Sequence, residues 1–382
     1  MSTMLVRTCL QRFFVLLLAL VAAASASAAD PRPETPGWYS TQIGRFTVTA
    51  LWDGTLDMPV DKVFKHPTAY TYSAGVQREL PWSFVVDAAY VGRRGVYLQR
   101  ERNINQLVAG TVQANPGVNV AALRPYKGYG VIRLSENAGY SKYDSFQLGI
   151  DRRYTNGFSF GLAYTLGKSM DNASGKRDVM FNSYDDSGFW GPSSFDRRHV
   201  LNFHYIYDLP FFSAQNTLMS QVLGGWQLSG STFMRSGTPL WVTRGDDVAG
   251  VGDSFGQPYN QVGDPTANAN QQFSGGIVSG TAVDQNFWFN PAAFARPAAG
   301  TFGNAPRDRI YNPGQYQWDI AVFKNVKING PRSVQVRAEI FNFLNHPNLG
   351  GANADPTSST FGRVTGKDGS RRDVQLSLRF IF

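Results

Sequence analysis

The chain of 382 residues carries a net charge of +8, yet only 17% of its residues are charged, against about 25% in typical globular proteins. A positive balance suits an anionic membrane surface or nucleic acid, but no segment concentrates Lys and Arg, which argues against a nucleic-acid-binding protein. Aromatics reach 14% and glycines number 39, and this mixture speaks against a mainly helical protein and for many strands with wide loops.

At the N-terminus, Arg7 and Arg12 precede an apolar run from Phe13 to Val21. Ala22 to Ala29 follow, with Ser25 and Ser27 interspersed. A basic flank, a short apolar core and an Ala-Ser-Ala site predict a secretory signal peptide over residues 1–29, cleaved near Ala28 or Ala29. A membrane anchor is the alternative, but the run is short for about 30 Å of hydrocarbon. Cys9, the only cysteine, precedes the apolar core, so it is not a lipid-modified cysteine at the cleavage point. The mature protein would hold no thiol, disulfide or cysteine-based metal site, in keeping with an extracytoplasmic location.

Residues 30–65 form a separate N-terminal segment. Within it "PGWYSTQIGRFTVTALWDGTLDMPVDKVF" (36–64) resembles the start of a secreted metallo-β-lactamase-fold hydrolase. That resemblance implies a downstream His-x-His-x-Asp-His metal motif. The four histidines, His66, His199, His204 and His346, do not have that spacing.

From residue 66 onward the recurring pattern is alternation with the period of a strand. Less regular segments at 70–79 and 83–92 come first. Then "DSFQLGIDRR" sets Phe146, Leu148 and Ile150 against Ser145, Gln147, Gly149 and Asp151. "GFSFGLAYTLG" sets Phe158, Phe160, Leu162, Tyr164 and Leu166 against Ser159, Gly161, Ala163 and Thr165. Leu201, Phe203, Tyr205 and Tyr207 form the next apolar face, opposite Asn202, His204, Ile206 and Asp208. Segments at 225–235 and 316–324 follow, then Val334, Val336, Ala338 and Ile340. The last alternation is Val374, Leu376, Leu378, Phe380 and Phe382 in "DVQLSLRFIF".

A soluble sandwich and an outer-membrane barrel both produce such strands. The connections decide between them. "LPWS", "YTN" and "VKINGP" are short and "PFFSAQNTLMSQVLGG" is moderate, whereas long stretches separate the resulting hairpins. Long structureless loops are uncommon in compact soluble domains, and short periplasmic turns alternating with long external loops are the pattern of a bacterial outer-membrane barrel. Trp82, Tyr154, Phe158, Phe211, Phe212 and Trp226 lie beside the short connections, where an interfacial aromatic girdle belongs. The expected fold is therefore all-β: a partial antiparallel outer-membrane β-barrel of about nine to ten strands with long external loops, exported to the outer membrane. If the last strand ends in the periplasm, the strand near Tyr70 runs inward from outside. The expectation is then that residues 66–382 are the last part of a larger barrel.

Several ordered blocks carry a family resemblance. "YSAGVQRELPWSFVVDAAYVG" (72–92), "YDSFQLGIDRRYTNGFSFGLAYTLGKSMD" (143–171) and "FDRRHVLNFHYIYDLPF" (195–211) resemble TonB-dependent receptors of the Oar-like type. So do "LGGWQLSGSTFMRSGTPL" (223–240), "FGNAPRDRIYNPGQYQWDIAVFKN" (302–325) and "VQVRAEIFNFLNHPN" (334–348). The resemblance implies an energised outer-membrane receptor with a regulatory domain, a plug and a barrel of about 22 strands. The TonB box, regulatory domain, plug and earlier strands have no counterpart in these blocks, so the expected role is a receptor segment that does not transport alone. Two alternatives stand beside it. One is a hydrolase remnant. The other is a self-sufficient barrel acting as passive pore or adhesin, with 45–52 recruited as a tenth strand.

No catalytic residue, cofactor or metal site is expected. His199 and His204 lie five apart and would face opposite sides of one strand. Asp246, Asp247 and Asp253, like Asp185 and Asp186, lack EF-hand spacing and read as solvated acidic loops. "GVGDSFG" lacks the strand-turn-helix setting of a dinucleotide loop. The one motif assigned a role is the ending. An aromatic last residue with alternating apolar residues before it resembles the signal read by the barrel-assembly machinery, so Val374, Leu376, Leu378, Phe380 and Phe382 are the expected assembly signal. The expected partners are outer-membrane lipid, that machinery and an unidentified external ligand.

Overall fold

A computed structural model describes residues 38–43, 46–51, 65–212, 217–267, 269, 287–330, 332–369 and 371–382. The expected signal peptide, 1–29, lies outside the described residues. The chain divides into two units, 1–59 and 60–382. In the first, Trp38–Ile43 pairs antiparallel with Phe46–Leu51. Residues 46–51, within the 45–52 segment expected as a tenth strand of a self-sufficient barrel, thus form a hairpin with their immediate neighbour, where the entropic cost of loop closure is smallest.

The second unit is built on nine long strands: β1 (Thr68–Leu80), β2 (Phe84–Asn103), β3 (Arg133–Thr155), β4 (Phe158–Asp171), β5 (His199–Asp208), β6 (Trp226–Arg235), β7 (Gln315–Asn329), β8 (Arg332–Phe341) and β9 (Asp373–Ile381). Each pairs antiparallel with its neighbours in sequence order, and Gly191–Pro192 adds a short bridge to β4. Among the described residues, β1 and β9 are paired on one side only.

The register carries the sequence alternation across the wall. One row runs Val76, Ala88, Leu148, Tyr164, Leu201, Met234, Tyr316. The adjacent row runs Gln77, Asp87, Gly149, Ala163, Asn202, Phe233, Gln317, small or polar except at Phe233. The sheet thus has an apolar face and a polar face, as a wall between lipid and an aqueous interior requires.

The short connections are as tight as expected. Asn156 and Gly157, at φ +53° and +76°, form the two-residue turn between β3 and β4, the geometry that matches strand twist. Pro81–Ser83 joins β1 to β2, and β7 and β8 approach to Asn329 opposite Arg332, closer than "VKINGP" suggests.

The main departure from expectation is strand length. β2 has 20 residues and β3 has 23, twice what spans a membrane, so the connection between them shrinks to 104–132. Two bulges hide this extension. β2 carries an extra residue between Gly95 and Leu98, where Tyr97 has φ +58°, and β3 carries one between Gly139 and Asn137. Each bulge reverses the alternation of its strand. Beyond them Arg100 pairs with Glu136, and both are buried against the long loops rather than following the apolar face.

Candidate functional site

The long connections lie at the end of the wall opposite the tight turns, and they fold on each other. Val242, Tyr259, Phe289, Ile310, Ala352 and Val364 form one apolar core, joining the loops 236–314 and 342–372. Met180, Phe181 and Phe189 form a second, packed against Trp241 and Phe302. The rings of Phe181 and Phe189 stack 4.4 Å apart, and Trp241 meets Phe181 edge-on at 5.8 Å. Burial of these side chains, at roughly 1.5–3 kcal/mol each, gives loops without long strands a fixed shape.

Buried polar groups fasten this cap to the wall. Arg307 donates from Nη2 to Asp171 Oδ1 at 3.1 Å and to the Pro192 carbonyl at 2.8 Å, and from Nη1 to the Phe189 carbonyl at 2.7 Å. Its guanidinium also lies 5.6 Å from the Trp241 ring centre. Glu136 sits between Arg100, at 3.0 Å, and Arg102, at 2.9 Å, while Arg100 reaches Asp186 at 3.0 Å. Asp253 accepts from Asn103 Nδ2 at 2.8 Å and Gln106 Nε2 at 3.0 Å. Burial raises the Asp253 carboxyl above its ordinary pKa, against the opposing effect of those two hydrogen bonds.

Between the loops 172–194 and 239–256 lies a cleft of about 360 Å³. Met180, Phe189, Trp241 and Phe255 supply ring and thioether surface; Asn172, Ser174 and Thr243 supply polar groups, and Arg307 closes one side. An apolar floor with a few convergent polar groups is the composition of small-ligand sites. Arg307 donates to Asp171, Ser174 and two carbonyls, and Asp178 adds a carboxylate to the lining.

The structure places the expected residues as follows. Val374, Leu376, Leu378 and Phe380 lie on β9 beside Ile340, Ala338, Val336 and Val334, extending the apolar face. All four are exposed, and Phe382 is 98% exposed. His199 bonds to Tyr164 at 2.8 Å on the apolar face, while His204 lies against Gly161 on the polar face. The two histidines stay apart, as their spacing requires.

Asp185 and Asp186 are exposed, as expected of a solvated loop, whereas Asp246, Asp247 and Asp253 are partly or fully buried. Asp247 accepts the amides of Val251, at 2.9 Å, and Gly252, at 2.6 Å. Asp246 pairs with Arg244 at 2.7 Å and Arg296 at 3.1 Å, and Asp253 is buried. Asp185 caps Ser187, and Asp186 pairs with Arg100. Partners distant in sequence account for Asp253, Asp186 and the Arg296 pair of Asp246, whereas Asp247 and Asp185 are held by donors within their own loops. Among the described residues no group of three or more His, Cys, Asp or Glu is placed to hold a metal ion. Arg307, Asp171 and Trp241 gave no spacing signal, because their partners lie in other loops.

An antiparallel meander with one apolar face, tight turns at one end and folded loops at the other defines an outer-membrane β-barrel. The family model described as outer membrane beta barrel domain matches residues 20–375, and the chain belongs to that family. Among solved structures, the outer membrane transporter YddB from Escherichia coli is similar at TM-score 0.43 and 13% identity, over 86% of this chain and 34% of that one. The pyoverdine outer membrane receptor FpvA from Pseudomonas aeruginosa PAO1 is similar at TM-score 0.38 and 11% identity, over 82% and 30%. The ferric-catecholate import receptor Fiu from E. coli K12 gives TM-score 0.35 and 10% identity, over 82% and 28%. The chain spans about a third of the length of these proteins. No curated protein matches it.

Proposed function

We propose that residues 66–382 are the C-terminal barrel segment of a TonB-dependent receptor of the Oar-like type, taking an unidentified external ligand in the loop cleft and not transporting it alone. The folded cap carries the reading. Passive pores need an open mouth, whereas here long loops form two apolar cores, buried ion pairs and a lined cleft at the external end. The strand count supports the segment reading. The nine antiparallel strands among the described residues leave β1 and β9 running in the same direction, so these two edges cannot pair antiparallel with each other. A closed bacterial barrel has an even count, and lipid does not tolerate open edges. Export by residues 1–29 and recognition of the ending by the assembly machinery complete the proposal.

The test is gel mobility of outer membranes from cells expressing the chain, with and without boiling. A complete barrel shifts on boiling. The segment reading expects no shift from this chain by itself, and a clear shift would replace it with the self-sufficient barrel. The hydrolase alternative has no observation in its favour among the described residues.

A further inference from the structure

The connection between β5 and β6 differs from the other tight turns. It holds a short helix, Leu218–Leu223, opened by a capping box in which Thr217 Oγ1 accepts the Ser220 amide. Met219, Val222 and Leu223, at helical spacings of three and four, are 67%, 61% and 46% exposed. Phe211 and Phe212, just after β5, are exposed beside them in sequence. Five large apolar side chains thus stay roughly half or more exposed at the end of the wall where the tight turns lie.

The side of the wall on which this helix sits follows from Trp226. Trp226 stands in the alternation of Leu228 and Met234, on the apolar face, and its indole Nε1 donates to the Val222 carbonyl at 3.2 Å. Lys324, its cross-strand neighbour in the same alternation, bonds to the Gly224 carbonyl, and its ammonium lies 5.3 Å from the Trp226 ring centre. Both tethers reach from the lipid-facing row, so the last turn of the helix is fixed on that side and not beneath the interior. The exposed face continues the apolar surface that Tyr207 and Leu228 present to lipid.

We propose that Leu218–Leu223 is an interfacial anchor. It lies in the periplasmic leaflet with Met219, Val222 and Leu223 among phospholipid acyl chains. Trp226 marks the headgroup level, as an amphipathic ring does at membrane interfaces, while Lys324 is buried beneath the connection as its tether. The occupant is lipid because the patch continues a lipid-facing surface. The inference rests on membership of the barrel family and not on the receptor reading.

The test uses the full chain with Cys9→Ser, which leaves no cysteine. Single Met219→Cys, Val222→Cys, Gln221→Cys and Leu228→Cys variants are labelled with an environment-sensitive fluorophore. They are refolded into phosphatidylethanolamine–phosphatidylglycerol vesicles with and without brominated acyl chains. The expected result is at least twofold stronger quenching by brominated lipid than by aqueous iodide at 219 and 222, with the opposite preference at 221. Leu228→Cys reports the wall itself. Lipid quenching at 228 with iodide quenching at 219 and 222 overturns the anchor and leaves the barrel intact. Iodide quenching at 219, 222 and 228 alike overturns the membrane placement of the wall and the anchor with it. Equal lipid quenching at 219, 221 and 222 overturns the flat orientation on which the anchor depends.

Discussion

Arg307 and Asp171, separated by 136 positions in the chain, meet at 3.1 Å with side chains only 10% and 3% exposed. Asp171 is the last residue of β4, and Arg307 belongs to the loop before β7, so this pair ties the cap to the wall. Replacing Arg307 with Met would leave the Asp171 carboxylate buried with Ser174 as its remaining donor. Loss of one partner of a buried pair costs about 3–5 kcal/mol. The cap should loosen while the wall persists, because local opening draws on local contacts. Limited proteolysis of loops 172–198 and 236–314 should accelerate in Arg307→Met. The double variant with Asp171→Asn should be less damaged than the sum of the two single ones.

Asp253 gives the cap a pH dependence. Its folded pKa is raised by burial, so the folded state favours the protonated acid. The stabilising contribution is complete below the ordinary carboxyl pKa of about 3.9 and is lost as pH rises through the folded value. Hydrogen exchange of segments 103–107 and 247–257 should therefore slow as pH falls toward that range, after correction for intrinsic exchange. Asp253→Asn keeps an oxygen to accept from Asn103 and Gln106 and should flatten the dependence. An unchanged slope in Asp253→Asn would assign the effect to another group.

The wall was legible in the sequence where one face is apolar and the other polar. Phe158 to Leu166 and Leu201 to Tyr207 alternate without interruption, and the register joins them residue for residue, Tyr164 to Leu201 and Leu162 to Phe203. Legibility stops at the bulges. After Tyr97 and Ala138 the alternation reverses, and Arg100, Arg102 and Glu136 face buried loops, so a charged stretch that reads as a loop is strand. The cap was not legible at all. Asp253 reads as solvated until Asn103 and Gln106 arrive from about 150 positions away. Trp241 carries no signal in its own stretch of sequence, and its partners Phe181 and Phe189 come from another loop.

The turn at Asn156 and Gly157 is a local determinant of the β3–β4 register. Gly157 has φ +76°, and a Cβ there would meet the Cβ of Asp208 at 3.1 Å. Gly157→Val places a β-branched residue in the left-handed region, at a cost of roughly 1–2 kcal/mol from conformation alone. The urea midpoint in detergent micelles should fall accordingly. Asn156→Gly should leave it nearly unchanged, because glycine accepts φ +53° without strain. Equal losses in both variants would show that the Asn156 side chain, and not backbone conformation, holds the turn.

Phe382 allows the assembly proposal to be separated from packing. It follows β9 and is 98% exposed, so its ring contributes almost nothing to the folded sheet within the chain. Leu376 and Leu378 are exposed as well, but they sit in register with Ala338 and Val336, and their removal would also weaken the β8–β9 pair. Deleting Phe382 should therefore leave the urea midpoint of refolded protein unchanged. It should reduce accumulation of a full-length receptor carrying this ending in the outer membrane of living cells several-fold, as read by fractionation after a pulse of expression. Leu376→Gln should lower both. If deletion of Phe382 leaves accumulation intact, the ending is not the signal read by the assembly machinery. The alternation from Val374 to Phe380 then serves only to extend the apolar face toward lipid.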